Sequence, residues 1–142
     1  MNDPVRHPSH YTSHPSGIEC LEVTRHMSFD LGNATKYLWR GWTNQKHSGP
    51  IDLEKAAFYI RDFIAMPTPP RMPLWRAAWT ALDKWQMAEP CKPLASAVVH
   101  LWMADTAGTP REAASRARYA LGIVEREIGE RMGLIKSSPA KH

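Results

Sequence analysis

The chain has 142 residues, 43% of them hydrophobic and 23% charged, a composition that supports one modest core and excludes fibrous, collagenous and wholly disordered classes. Eighteen Lys and Arg against 14 Asp and Glu give a formal charge of +4, which suits anionic ligands. The basic residues are scattered, however, and no helix-turn-helix or zinc-finger pattern argues for nucleic acid. No apolar run approaches the ~20 residues of a membrane span and the N-terminus lacks a signal-peptide core, so a soluble protein of the cytoplasm is expected, without membrane contact. Cys20 and Cys91 form no Cys-x-x-Cys pair and read as buried thiols.

In chain order, Pro4, Pro8 and Pro15 interleave with His7, His10 and His14 and predict an extended arm. Ser16-Gly17-Ile18-Glu19 has capping-box spacing and predicts a first helix to about Met27. Asp30 is the expected cap of a second helix, which carries Leu31, Ala34, Leu38 and Trp42 at helical spacing. A third begins near Asp52 with Leu53, Ala56, Ala57, Ile60, Phe63 and Ile64 as its apolar stripe. The proline-rich stretch 67–73 is the expected linker between a region of residues 1–66 and a helical region of residues 74–133. There Pro73 and Pro93 suit first turns of helices, and Thr109-Pro110-Arg111-Glu112 opens the longest, to about Met132. Residues 134–142 are expected to be a disordered tail. No segment alternates like a strand, so the predicted fold is all-α, with about six helices.

Ala34, Leu38 and Trp39 match Ala97, Leu101 and Trp102 in spacing, as Ala57, Tyr59 and Phe63 match Ala117, Tyr119 and Ile123. Either the second helix pair duplicates the first, or common helical residues coincide. In a duplication Asn33, Lys36 and Arg40 correspond to Ser96, Val99 and Met103, which leaves the chemistry in the first copy.

On the second helix Asn33, Lys36 and Arg40 fall within a narrow arc away from the core positions, flanked by Tyr37. Such a stripe can hold phosphate by an Arg fork and a Lys point charge, or it can be a solvated helix face. Asp52, Lys55, Tyr59 and Asp62 run along the edge of the third helix; they can face the same cleft, or pair with one another at the surface. His10 and Tyr11 read as a pair that the arm lays over a ligand. His7-x-x-His10 with His14 lacks the partners of a zinc site, so no metal ligand set is predicted. Glu19-x-x-Glu22 resembles one metal-binding pair of the all-α nucleotide pyrophosphohydrolases, but the third helix lacks the second pair, and capping is the preferred reading. P-loop, dinucleotide-fold and hydrolase-elbow motifs are missing from the sequence.

His10-Tyr11, Gly17-Ile18-Glu19, Phe29, the run Gly32-Asn33-Ala34-x-Lys36-Tyr37-Leu38-Trp39-Arg40, and Asp52-Leu53-x-Lys55-Ala56-x-x-Tyr59 together resemble the SaV-like family of small bacteriophage proteins. The resemblance covers roughly residues 7–64; the bulkier Gly41-Trp42-Thr43-Asn44 run departs from the family's short Gly- and Lys-rich turn. Members of that family are often described as nucleotide kinases, because a coliphage relative phosphorylates deoxynucleoside monophosphates without a P-loop. The resemblance implies a phage nucleotide-binding protein acting in the host cytoplasm, which transfers phosphate from a nucleoside triphosphate to a monophosphate with Mg²⁺. Asn33, Lys36 and Arg40 would hold phosphate, Asp52 or Asp62 would be the catalytic residue that handles Mg²⁺ or the attacking oxygen, and His10 and Tyr11 would close over the base, beside Tyr37, Lys55 and Tyr59. The same cations would also serve a noncatalytic sponge that sequesters a host signalling nucleotide against host defence, or the chain is a helical interaction module. Six Trp in so short a chain predict homo-oligomerisation, through Trp75, Trp79 and Trp85.

Overall fold

The helical spacing of the apolar residues becomes six helices among the residues that the structure, a computed structural model, describes: 5–6, 14–43, 49–68 and 76–133. They are α1 (Cys20–Thr24), α2 (Phe29–Thr43), α3 (Gly49–Ala65), α4 (Arg76–Ala88), α5 (Lys92–Asp105) and α6 (Pro110–Arg131). No strand occurs among the described residues, so the fold is all-α. No described helix is long and apolar enough to cross a membrane.

Packing is cyclic. Helix α2 lies on α3, α3 on α6, α6 on α5, and α5 returns to α2, while α1 and α4 touch each other and cover the α2 and α5 sides. One core runs through both halves of the chain: Leu31, Leu38, Leu53, Ile60 and Phe63 from the first, Leu82, Leu94, Leu101 and Val124 from the second. At its centre Trp39 and Trp85 stack with centroids 4.7 Å apart. Each such large side chain contributes on the order of 2 kcal/mol when fully withdrawn from water. Trp85 is therefore spent on the core, which removes it from the interface expected of it; Trp79 keeps 46% of its surface in solvent, and Trp75 lies outside the described residues.

Exchanging the hairpins α2/α3 and α5/α6 maps the packing onto itself. The repeated residues behave alike: Ala34, Leu38 and Trp39 are buried as are Ala97, Leu101 and Trp102. Tyr37 stacks on Tyr59 across the first hairpin, and the corresponding His100 sits 4.3 Å from Tyr119 across the second. Each hairpin thus carries an aromatic pair at the corresponding position, the arrangement that a duplicated helix pair would leave.

Several local expectations change. Helix α1 starts a turn later than Ser16, because Glu22 Oε2 accepts the Glu19 backbone N–H at 2.7 Å and forms the capping contact there. Ser16 Oγ instead accepts the Ile18 N–H at 3.0 Å in a turn closed by Gly17, whose φ of +75° lies in the left-handed region that glycine enters freely. Asp30 is not the cap of α2. The Ser28 N–H that precedes the helix donates to Asp105 Oδ2 at 2.6 Å, so an acid 77 residues away satisfies that end and favours the positive pole of the helix. Helix α3 begins at Gly49 rather than near Asp52. Thr109 caps α6 as its spacing predicts, its side chain accepting the Glu112 N–H at 3.1 Å. The tail at 134–142 and most of the proline-rich stretch fall outside the described residues.

Candidate functional site

The outer seam between α2 and α3 gathers most of the charged residues singled out above. Because Tyr37 and Tyr59 leave their antiparallel helices toward each other, their rings stack with centroids 6.0 Å apart and planes 9° from parallel. Three cations surround the Tyr37 ring: Lys36 Nζ at 4.6 Å from its centroid, Lys55 Nζ at 5.4 Å and the Arg40 guanidinium carbon at 5.8 Å. The negative ring face offsets part of their mutual repulsion. Asp52 offsets more: it is 1% exposed, and its Oδ2 lies 3.7 Å from Arg40 Nε. No acid pairs with Lys36 or Lys55 among the described residues.

Lys36, Tyr37, Arg40, Asp52, Lys55 and Tyr59 therefore form one cluster. Asn33 lies on the same helix face, with its side-chain nitrogen donating to the Phe29 carbonyl at 3.0 Å. Asp62 stands apart, ten residues and so about 15 Å of helix from Asp52. His10 and Tyr11 lie outside the described residues.

Asp62 has a partner that the sequence did not suggest. Burial, then a side-chain hydrogen bond with Asp62 and the charge of Asp62, push the Asp30 carboxyl from 3.8 up to about 6, so that it takes up a proton at higher pH than in the unfolded chain. The folded state thus holds this proton more tightly than the unfolded chain. Stability falls as pH rises from near 4 to near 6, and the full penalty applies above that. Asp62→Asn removes the repelling charge from an exposed position, so it is expected to raise stability at neutral pH by on the order of 1 kcal/mol and to flatten the pH dependence. Urea unfolding at about pH 5 and about pH 7.5 measures this; an unchanged difference between the two would show the acids to be independent.

Elsewhere the chemistry is quieter. An open cavity of about 430 Å³ lies on α5, lined by Gln86, Lys92, Ser96, Val99 and His100. Three of these residues, Ser96, Val99 and His100, occupy in the second hairpin the positions of Asn33, Lys36 and Tyr37 in the first, without the charged stripe. Lys92 Nζ is engaged with the carbonyls that end α4, at 3.0 Å from Met87 O, and His100 Nδ1 donates to the Ser96 carbonyl at 2.8 Å. The cysteines are free and buried, as expected. Burial pushes the Cys20 thiol up to about 12 and Cys91 up to about 11, which keeps both protonated and unreactive. Among the described residues no group of three or more His, Cys, Asp or Glu side chains could hold a metal ion.

Two groups escaped the sequence reading. Phe29, quoted there only within the family pattern, is 75% exposed and meets the Tyr59 ring edge-on at 6.1 Å. His14, read as part of an arm, is buried between Trp39 and Trp85 at 5.5 and 5.4 Å, with Nε2 3.4 Å from the fully buried Glu89. The spacing of Phe29, Asn33 and Tyr37 at i, i+4 and i+8, off the apolar stripe, was a legible signal for the first; nothing local signals the second.

Residues 5–61 match a family described only as a protein of unknown function (DUF3310). The match takes in α1, α2 and most of α3, and so the whole cation cluster. No curated protein matches the chain, and no solved structure does.

Proposed function

We propose that the α2/α3 seam binds the phosphates of a nucleotide, and that the chain is a nucleotide-binding protein. The observation that carries this reading is the convergence of Lys36, Lys55 and Arg40 on one tyrosine ring from two helices, with Asp52 as the neutralising acid. Holding three cations together is unfavourable in the absence of an anion, and a phosphate supplies several acceptor oxygens at once. Arg40 is aligned by Asp52, while Lys36 and Lys55 remain to engage the ligand as mobile point charges.

The resemblance to the SaV-like phage proteins extends this to phosphoryl transfer from a nucleoside triphosphate to a deoxynucleoside monophosphate. In such transfer the three cations would offset charge developing on the phosphoryl oxygens. Mg²⁺ ordinarily neutralises the phosphates in this chemistry, yet the acids do not fit a metal at the cation cluster. Asp52 is committed to Arg40, and Asp62 is about 10 Å of helix from Lys55, far beyond the ~2.1 Å of a Mg²⁺–oxygen bond.

That same placement favours a second reading, sequestration of a nucleotide without turnover, which needs cations and rings but no metal-binding acid. Formation of diphosphate from each deoxynucleoside monophosphate in the presence of ATP and Mg²⁺ separates the two. Transfer is expected to yield at least one diphosphate, and the yield is expected to fall when Lys36 and Lys55 are replaced. Binding without product from any monophosphate would leave sequestration, and absence of binding would remove both.

A further inference from the structure

We propose that the exposed ring of Phe29, held edge-on by Tyr59, is the platform on which the base of the nucleotide stacks, while its phosphates lie on Lys36, Lys55 and Arg40. The inference rests on the reading of the cation cluster as a phosphate site and adds the part of the ligand that distinguishes a nucleotide from any other polyanion.

A single exposed aromatic residue is ordinary on a protein surface. Phe29 is not single. Its ring meets Tyr59 at 6.1 Å and 76°, Tyr59 stacks on Tyr37 at 6.0 Å, and Tyr37 is the ring around which the cations gather. Phe58, 61% exposed, also meets Tyr59 edge-on at 5.3 Å. An aromatic surface thus runs unbroken into the positive one. Its dimensions suit a nucleotide: from Phe29 to Lys36 is seven residues, about 10 Å along α2, comparable to the reach from a base to its outer phosphates.

The middle of that span is polar. Phe29, Asn33 and Tyr37 recur at i, i+4 and i+8 and share one face of α2. Because the Asn33 side-chain nitrogen donates to the Phe29 carbonyl, its Oδ1 is the end left to accept a hydroxyl, at the level where the sugar would lie. The platform itself offers ring faces rather than donors and acceptors matched to one base edge. Stacking of this kind tolerates every base and favours purines by area, so the ligand class is nucleoside phosphates with weak base discrimination. A single strand of nucleic acid fits less well, since its backbone calls for cations spaced along a groove and these three surround one ring.

The test compares ATP with inorganic tripolyphosphate by titration calorimetry on the wild-type chain, Phe29→Ala and Phe29→Trp. Phe29→Ala is expected to weaken ATP binding about tenfold while leaving tripolyphosphate binding unchanged, and Phe29→Trp to retain both. Because Phe29 is three-quarters exposed, an unchanged melting temperature is expected to accompany the loss. Equal loss of both ligands in Phe29→Ala, or loss of neither, overturns the stacking platform alone. A wild-type chain that binds neither ligand overturns the phosphate reading and the platform with it. Affinity for oligodeoxynucleotides that climbs with their length overturns the mononucleotide as ligand.

Discussion

Replacing Lys36 and Lys55 together with Ala is expected to weaken binding of ATP and of tripolyphosphate by roughly 3–6 kcal/mol, from two charged hydrogen bonds of about 1.5–3 kcal/mol each. That is a loss of about a hundredfold or more in affinity. Lys55 is exposed and Lys36 half-buried, and neither has an acid partner among the described residues, so the melting temperature should move little. Removing like charges from around Tyr37 can even stabilise the chain. Arg40 is a poorer probe, although the sequence presents it as an equivalent surface cation. Its partner Asp52 is 1% exposed, and truncating Arg40 leaves a buried carboxylate without that cation, a change that ordinarily costs about 3–5 kcal/mol of stability. Loss of binding in an Arg40 variant would therefore mix ligand contact with unfolding, whereas the double lysine variant separates them. Nucleotide affinity equal to wild type in that variant would show the stripe to be a solvated face.

The helices were legible because their apolar residues recur at helical spacing over long stretches, as Leu53, Ala56, Ala57, Ile60 and Phe63 do in α3, all now buried. Helix ends were less so, since the groups that satisfy them are remote: nothing near Ser28 in sequence predicts Asp105 as its acceptor. The cation cluster was half legible. Spacing placed Lys36 beside Arg40 and Lys55 beside Tyr59, but only the pairing of α2 with α3 shows that these stripes meet around Tyr37. It also shows that Asp52 and Asp62, read as alternative catalytic acids on one stripe, lie in different surroundings, one against Arg40 and the other against Asp30. A single helix carries both, and the neighbour each meets is set by the antiparallel partner.

Glu89→Ala is expected to destabilise the protein by about 2–4 kcal/mol, since a buried N–H that loses its acceptor costs about 1–3 kcal/mol and the cavity left behind adds to it. Glu89 follows α4 and is fully buried; Oε2 accepts the Cys91 N–H at 2.7 Å, and Oε1 faces His14 Nε2 at 3.4 Å. The His14 Nδ1 accepts the Ser16 backbone N–H at 3.1 Å, so in the neutral ring it is Nε2 that carries the proton toward Glu89. Beyond Cys91 the contacts continue, its Sγ 3.6 Å from Glu127 Oε1, which in turn meets Arg131 Nε at 3.1 Å. A polar path thus ties the segment before α1, seated at His14 against the two stacked tryptophans, to the end of α6. Truncation leaves the buried Cys91 N–H without its acceptor, removes the carboxylate that faces His14, and opens a cavity. Glu89→Gln keeps an oxygen for Cys91 and is expected to cost about 1–2 kcal/mol. Urea unfolding of the two variants measures the difference, and a Glu89→Ala variant as stable as wild type would mean that His14 is held by its tryptophans alone.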